Sequence, residues 1–172
     1  NLEKAYLKLL KKQETTGQPF YDKLNQLKNF YLPICDKIYN YYSNINRTLI
    51  IGLSGGQGSG KSTIAQILKI ILQHKFNLNV VNFSIDDFYK TSSTRKKMSK
   101  SLHPLFKVRG VPGTHDSKML YKIIKDLKAK RFHLIKIPKF DKSKDDRSNK
   151  KYWQKIKKKP NIIIFEGWCV GA

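Results

Sequence analysis

The N-terminal part of the chain has the pattern of amphipathic helices, in which apolar side chains recur every three or four residues. Over residues 1–12 the apolar side chains fall on one helical face and the lysines on the other. After a break at residues 15–19, a second helical stretch is predicted over residues 20–42, bent near Pro33 because proline removes a backbone donor. These stretches predict a helical N-terminal segment over residues 1–46.

Beyond this segment the pattern changes to short apolar runs separated by helical stretches. Strands are predicted at residues 48–53, 79–85, 132–137 and 161–165, and helices at residues 61–75 and 116–128. Residues 91–111 are basic and lack periodicity, which predicts an exposed loop. The first and last strands read as fully buried, because uniformly apolar strands are typical of sheets covered on both faces. We therefore predict an α/β fold over residues 47–172, with a parallel sheet flanked by helices.

The composition adds a strong positive charge to this picture. The 172 residues include 35 lysines and arginines against 12 acidic residues, for a formal net charge of +23. Such a field attracts polyanions, so nucleic acids, anionic membranes and phosphorylated small molecules are all candidate partners. Hydrophobic residues make up 40% of the chain, which excludes wholesale disorder. No apolar run approaches the roughly 20 residues that a membrane-spanning helix requires.

The cysteines and the N-terminal residues bear on the cellular compartment of the protein. Cys35 and Cys169 are the only cysteines and lack metal-ligand spacing, which is typical of small apolar residues in a reducing compartment. Residues 1–30 show none of the features of a secretory signal peptide. These features predict a cytoplasmic protein that does not associate with membranes.

The most specific motif directly follows the first predicted strand. Residues 55–63, GGQGSGKST, match the pattern G-x-x-x-x-G-K-[ST] and lead into the helix at 61–75. Glycines let the backbone turn tightly and bring its N–H groups to phosphate oxygens, while the helix N-terminus adds partial positive charge. Lys61 can reach the β- and γ-phosphates, and the Ser62 hydroxyl can bind Mg²⁺. The motif predicts that ATP and Mg²⁺ bind at Gly55, Gly56, Gln57, Gly58, Ser59, Gly60, Lys61, Ser62 and Thr63.

Two of the predicted strands end in carboxylates. Asp86 and Asp87 follow the strand at 79–85, and Glu166 follows the strand at 161–165. Open α/β sheets bind ligands at the carboxyl ends of their strands, and phosphoryl transfer needs a metal-side carboxylate and a proton acceptor. We predict Asp86 as the general base and a metal-side ligand, and Glu166 as a metal ligand. Because adjacent strand residues point in opposite directions, only one of the two aspartates is expected to face the phosphates.

These motifs resemble those of the P-loop kinases that include uridine kinase, pantothenate kinase and phosphoribulokinase. Within that class the chain is most similar to the plant and cyanobacterial type of D-glycerate 3-kinase, over roughly residues 47–171. The resemblance rests on GLSGGQGSGKST at 52–63, SIDDFY at 84–89, RGVPGTHD at 109–116, PKFDKS at 138–143 and FEGW at 165–168. It implies a P-loop kinase fold, ATP and Mg²⁺ as cofactors, and the conversion of ATP and D-glycerate to ADP and 3-phosphoglycerate.

The resemblance also implies roles for single residues. Asp86 matches the catalytic aspartate, Ser62 a magnesium ligand and Glu166 the acidic residue that helps to hold the metal. Together with Lys61 of the loop, Asp86 is predicted to be catalytic. The residues predicted to contact the acceptor are Asp87, Arg109, His115, Asp141 and Arg147, with Asp116 beside them. A guanidinium such as that of Arg109 suits a carboxylate acceptor. The alternatives are a helix cap for His115 and Asp116 and a mutual surface ion pair for Asp141 and Arg147.

Two other functions remain open. A sibling kinase acting on a nucleoside, pantothenate or a sugar phosphate would use the same loop and aspartate. A nucleic-acid-binding P-loop ATPase would use the basic runs at 95–97 and 155–159, with Tyr152 and Trp153 stacking on bases. Nucleic acid is not the expected partner, because the lysines are spread over the whole chain rather than gathered on one face. Since the lid and further helices of such kinases would follow residue 172, we expect an N-terminal part of a longer enzyme, truncated after the Walker B-like strand at 161–165.

Overall fold

The computed structural model describes residues 1–14 and 19–171. The predicted break at residues 15–19 lies, except for Pro19, outside the described residues. The chain divides into two units, one formed by residues 1–82 with 160–172 and the other by residues 83–159. The predicted division into segments 1–46 and 47–172 stays a prediction.

The helices and strands are numbered in chain order. The helices are α1 (Leu2–Gln13), α2 (Lys23–Gln26), α3 (Leu32–Ile45), α4 (Lys61–Phe76), α5 (Ser92–Ser101) and α6 (Ser117–Lys128). The strands are β1 (Leu49–Ser54), β2 (Val80–Ser84), β3 (Ile135–Ile137), β4 (Phe140–Asp141), β5 (Asp146–Arg147), β6 (Gln154–Ile156) and β7 (Ile162–Gly167). In the described part of the chain, none of the helices is long and apolar enough to cross a membrane.

The second predicted helical stretch is interrupted where the proline lies. The backbone makes a π-helical turn over Leu27–Tyr31 between α2 and α3. Pro33 follows in the first turn of α3, where its missing N–H would have no partner within the helix. The backbone is therefore irregular just before the proline, and the predicted bend itself stays a prediction.

The parallel sheet of the first unit places β7 between β1 and β2. β7 runs parallel to β1, with Leu49 opposite Ile162 and Ser54 opposite Gly167. β7 is buried along nearly its whole length, as predicted, but β1 is only partly buried. The prediction of a fully buried first strand is wrong: among the described residues, the sheet gives β1 a neighbour on one side only. The predicted α/β fold with a parallel sheet flanked by helices is confirmed.

One apolar core joins helices α1, α3 and α4 to this sheet. Its buried members are Tyr6, Leu9, Leu10, Leu27, Cys35, Ala65, Ile67, Leu68, Ile71, Leu72, Val80, Ile162 and Ile164. Cys35 is one of the small apolar residues that the sequence predicts, and burial raises the pKa of its thiol to about 12. Removing these side chains from water stabilises the helical layer against the sheet, which holds the start of α4 in place.

The second unit contains α5, α6 and two antiparallel strand pairs. β3 pairs with β6, with Ile135 opposite Ile156, and β4 pairs with β5, with Phe140 opposite Arg147. The strand predicted at 132–137 is therefore shorter than expected and does not belong to the parallel sheet. Burial alternates along β3, which suits a strand that packs one face on α6 and leaves the other in water.

The exposed loop predicted at residues 91–111 is wrong. The segment forms α5 and a 3₁₀ turn at Pro104–Lys107. Thr91 begins α5, because its hydroxyl accepts a hydrogen bond from the Thr94 amide at 3.3 Å. The buried residue of α5 is Arg95, so apolar periodicity gives no sign of this helix.

Candidate active site

The loop between β1 and α4 has the backbone of a phosphate cradle. Gly60 precedes α4 with φ +78°, a left-handed conformation that residues with a side chain rarely adopt. A Cβ added at Gly55 would lie 2.9 Å from the Ser59 hydroxyl and 3.5 Å from Cγ of Lys61. Glycine at these positions lets the loop close tightly and leaves backbone N–H groups at the helix N-terminus for an anion.

The side chain of Lys61 reaches back over the loop. Its ammonium group donates to the Gly56 carbonyl at 2.5 Å, and the Ser59 hydroxyl donates to the same oxygen at 2.8 Å. An ammonium group carries three N–H donors, so this bond holds the cation at the loop without using all of them. The predicted position of Lys61 beside bound phosphates is compatible with this arrangement.

Ser62 and Glu166 meet at the carboxyl end of β7. The Ser62 hydroxyl donates to Oε1 of Glu166 at 2.8 Å, and the Glu166 side chain is buried. Glu166 stands opposite Leu53 in the register of β1 and β7, directly where β1 leads into the loop. A hydroxyl and a carboxylate are hard oxygen ligands, which suit Mg²⁺.

This donor set is small, as expected for a metal that arrives with a nucleotide. Across residues 1–14 and 19–171, no three His, Cys, Asp or Glu side chains are gathered so that they could hold a metal. Mg²⁺ is commonly bound through one or two protein oxygens together with substrate phosphates and water. Ser62 and Glu166 therefore fit Mg²⁺ bound together with ATP.

Asp86 lies in the 3₁₀ turn Ile85–Phe88 that directly follows β2. The turn begins at Ser84, whose hydroxyl accepts from the Asp86 amide at 3.2 Å. The Asp86 side chain is 25% exposed, and its Oδ2 lies 2.8 Å from Nζ of Lys142. Asp86 is thus a partly exposed carboxylate that is paired with the exposed cation of Lys142.

Asp87 has a different environment from its neighbour. Its side chain is buried and accepts hydrogen bonds from the Ser84 amide at 3.2 Å and the Phe140 amide at 3.3 Å. Nζ of Lys139 lies 3.0 Å from its Oδ1. Asp87 therefore joins the 3₁₀ turn to β4, and its oxygens are used by the protein itself. The two aspartates lie in a 3₁₀ turn rather than in a strand, and the expectation that only one of them faces the phosphates stays a prediction.

Arg109 is held by its own unit. Its Nη1 donates to Oδ1 of Asp145 at 2.9 Å and to the Lys142 carbonyl at 3.3 Å. Its guanidinium also lies over the ring of Phe140, 5.7 Å from the centroid. The sequence predicts that Arg109 meets a carboxylate, and the carboxylate that it meets in the structure is Asp145.

His115 stacks on Tyr89, with ring centroids 4.2 Å apart. Its Nε2 is buried, and none of the residues that the structure describes forms a hydrogen bond with it. Burial is the main reason why the pKa of His115 is lowered; Asp86 raises this pKa and Lys90 lowers it further. A neutral imidazole with a buried nitrogen can donate to or accept from a hydroxyl group.

We expect the variant His115→Gln to be less sensitive to acid unfolding than the wild type. Because the pKa of His115 is lower in the folded state, the unfolded state binds more protons as the pH falls through about 6.5. His115 therefore does not reduce the free energy of unfolding above that pH. Below it, the free energy of unfolding falls with the pH until the pKa of His115 in the folded state is passed. The free energy of unfolding, measured with urea at about pH 7.5 and about pH 5, checks the difference.

The exposed histidine His133 provides the control for this experiment. His133→Gln should leave the acid sensitivity unchanged. If acid lowers the free energy of unfolding of His115→Gln as much as that of the wild type, folding does not lower the pKa of His115.

Asp116 and Arg147 form an ion pair beside this histidine. Nη2 of Arg147 donates to Oδ2 of Asp116 at 3.3 Å and to the Tyr89 carbonyl at 2.9 Å. Oδ1 of Asp116 accepts from the Met119 amide at 3.1 Å, so the expected cap of α6 is confirmed. Nε of Arg147 is buried and has no hydrogen-bond partner within residues 1–14 and 19–171.

Asp141 is engaged within the turn that joins β4 to β5. Its Oδ1 accepts from the Ser143 hydroxyl at 2.6 Å and from the Ser143 amide at 3.0 Å. These bonds, with that from the Lys144 amide, lower the pKa of Asp141. The alternative of a mutual ion pair between Asp141 and Arg147 is wrong, because Arg147 pairs with Asp116 instead.

Sequence reasoning missed three residues that organise the second unit: Arg95, Lys142 and Asp145. Arg95 and Lys142 each lie in a lysine-rich stretch, where the sequence offers no means of separating a buried or paired cation from a solvated one. Arg95 is fully buried, so the basic run at 95–97 is not a continuous exposed stripe. Asp145 has a φ of +50°, a conformation in which aspartate is more frequent than most residues. The residue type at this position is the one local sign in the sequence.

Residues 50–170 match the model of the phosphoribulokinase / uridine kinase family. A Schizosaccharomyces pombe protein described as the uncharacterized kinase mug58 is 39% identical over 149 residues, covering 80% of this chain and 53% of that protein. The chloroplastic D-glycerate 3-kinase of Arabidopsis thaliana is 30% identical over 131 residues, covering 72% of this chain and 28% of that enzyme.

A solved structure is also similar to this chain. The D-glycerate 3-kinase from Cryptococcus neoformans matches with a TM-score of 0.69 at 28% identity, covering 80% of this chain and 52% of that chain. The chain thus spans about half or less of the length of these relatives.

Proposed function

Because the chain belongs to the phosphoribulokinase / uridine kinase family, we propose that it transfers the γ-phosphoryl group of ATP to a hydroxyl of D-glycerate. The observation that carries the proposal is the hydrogen bond between Ser62 and Glu166 at the phosphate loop. It joins two hard oxygen ligands beside the phosphate loop, which supports the binding of a metal–nucleotide complex. A glycine-rich turn that only capped a helix would need neither.

The residues proposed for the nucleotide lie in the first unit. Backbone N–H groups of residues 55–60 and the N-terminus of α4 would hold the phosphate oxygens, and Lys61 would add its charge. Ser62 and Glu166 would hold Mg²⁺, which supplies further neutralisation of the phosphate charge when it is bound. Since little covalent chemistry falls to the protein, positioning and charge neutralisation carry the rate.

The residues proposed for the acceptor lie in the second unit. Asp86 would accept the proton of the reacting hydroxyl while the hydroxyl oxygen bonds to the γ-phosphorus. The bond from the γ-phosphorus to the bridging oxygen breaks at the same time, and that oxygen leaves on ADP. Asp86 then returns the proton to solvent.

Two observations support an acceptor that is small, polar and anionic. Two buried nitrogens, Nε2 of His115 and Nε of Arg147, have no hydrogen-bond partner in the described part of the chain and are suited to acceptor hydroxyl or carboxylate oxygens. Cations surround Asp86 and Asp87, since Lys142 and Lys139 pair with them. Two of the relatives, from Arabidopsis and Cryptococcus, carry the name D-glycerate 3-kinase.

ADP release by the intact protein, measured with a panel of acceptors, tests the proposal. The panel contains D-glycerate, uridine, pantothenate and ribulose 5-phosphate. We expect D-glycerate to raise ADP release far above the rate without acceptor and more than any other member. Strong acceleration by another acceptor and none by glycerate would contradict the assignment. Turnover stimulated in a salt-sensitive manner by an oligonucleotide would favour a nucleic-acid-dependent ATPase instead.

A further inference from the structure

Lys142 lies at the start of the turn between β4 and β5, and its ammonium group is 2.8 Å from Oδ2 of Asp86. We propose that Lys142 selects acceptors that carry a negative charge, by binding the anionic group of the acceptor beside the base. This inference rests on the proposed function and names the residue that would read the charge of the acceptor.

The backbone of Lys142 is held from two sides. On one side the Lys142 carbonyl accepts from Nη1 of Arg109 at 3.3 Å, and Arg109 is anchored by Asp145. On the other side Asp141 accepts from the amides of Ser143 and Lys144, which closes the turn. The turn therefore presents the Lys142 side chain from a defined position.

Lys142 is better suited than Arg109 to meet an acceptor. The guanidinium of Arg109 is bonded to Asp145 and packed on Phe140, so much of its hydrogen-bonding capacity and charge is already used. The Lys142 side chain is 65% exposed, and Asp86 engages only one of three N–H donors of an ammonium group. Arg109 thus acts as a positioning residue for Lys142.

The chemistry of glycerate fits a cation that neighbours the base. In this three-carbon acid, one carbon atom separates the carboxylate carbon from the carbon that bears the reacting hydroxyl. When Asp86 contacts that hydroxyl, a cation bonded to Asp86 lies within reach of the carboxylate. A neutral acceptor with the same hydroxyls gains nothing from this cation, so Lys142 would discriminate by charge.

Charge selection is tested with D-glycerate and its neutral amide, glyceramide, as acceptors of the wild type and of Lys142→Gln. We expect the variant to lower kcat/KM for glycerate by about 10- to 100-fold, the range for loss of a charge-assisted hydrogen bond. The value for glyceramide should change by less than about threefold, and KM for ATP should be unchanged. Lys142→Arg should restore part of the preference for glycerate, because it restores the charge.

Lys144 provides the matched control, since it belongs to the same turn and is 80% exposed. Lys144→Gln should leave both acceptors unchanged. A purely structural role of Lys142 would lower turnover of glycerate and glyceramide equally, and that result would overturn the inference.

The outcomes separate this inference from the proposed function. If glycerate is phosphorylated but Lys142→Gln affects both acceptors alike, only the role of Lys142 fails. If pantothenate is the acceptor instead, the assignment of glycerate as substrate fails. The same comparison, made with pantothenate and a neutral pantothenamide, then supports or overturns charge selection by Lys142. If only uridine is phosphorylated, or no acceptor is, both proposals fail.

Discussion

Replacing Asp86 with asparagine is expected to lower kcat with D-glycerate by about 10²- to 10⁴-fold, the usual contribution of a general base. Asparagine has nearly the same size but does not accept a proton at neutral pH. The proposed nucleotide residues are not altered, so ATP should still bind with nearly unchanged affinity. Steady-state kinetics and equilibrium binding of ATP to the same variant measure both effects.

Asp126 offers a closely matched control for this experiment. Its carboxylate also pairs with a lysine, Lys122 at 2.6 Å, and its side chain is 24% exposed against 25% for Asp86. Asp126→Asn removes an equivalent ion pair, worth about 1 kcal/mol or less, and should not affect turnover. If Asp86→Asn keeps turnover within about tenfold of the wild type, Asp86 is not the general base.

Replacing Arg95 with methionine is expected to lower the free energy of unfolding by about 3–5 kcal/mol, the usual cost of removing one partner from a buried network of charged and polar groups. Arg95 is fully buried and donates to the carbonyls of Lys90, Lys107 and Asp145 at 3.2, 3.0 and 2.6 Å. A buried ion pair can often be replaced by apolar residues when both partners change. Here the backbone carbonyls remain and lose their donor.

Urea unfolding of Arg95→Met and of Lys96→Met measures this loss. Lys96 is the exposed neighbour in α5, and its replacement should change stability by less than about 0.5 kcal/mol. Should Arg95→Met fail to fold, Arg95→Lys keeps the charge and one donor group and should show a smaller loss, with faster hydrogen exchange of α5. A change in the free energy of unfolding below about 1 kcal/mol in Arg95→Met would show that Arg95 does not hold α5 in place. The expected loss is a large part of the total stability of a typical protein.

The phosphate loop was predictable because its requirements are local. The glycines, Lys61 and Ser62 are neighbours in sequence, and the preceding apolar strand and following amphipathic helix are equally visible there. Glu166 was predictable in the same way, as a carboxylate at the end of an apolar strand. Its hydrogen bond to Ser62, across 104 residues of sequence, is a result of the register between β1 and β7.

The second unit was less predictable because polar groups organise it. The buried residue of α5 is an arginine, and its acceptors are distant in sequence, so no apolar pattern marks the helix. The same cause explains why Asp87 and Arg109, predicted to contact an acceptor, are bonded within the unit. Hydrogen bonds of polar side chains have no periodic signature along a chain, in contrast to the burial of apolar ones.

The sequence by itself determined the α/β class, the position of the phosphate loop and the identity of its cation and hydroxyl. These depend on local backbone conformation and on apolar periodicity, which neighbouring residues express directly. Only the tertiary structure decided which charged side chains are paired within the protein and which are exposed to a ligand. In the fold, Arg95 and Arg109 form ion pairs with Asp145, and Lys142 lies beside Asp86. The reason is that a lysine or arginine looks the same in sequence whether it is buried, paired or solvated, and its partner is chosen by the fold.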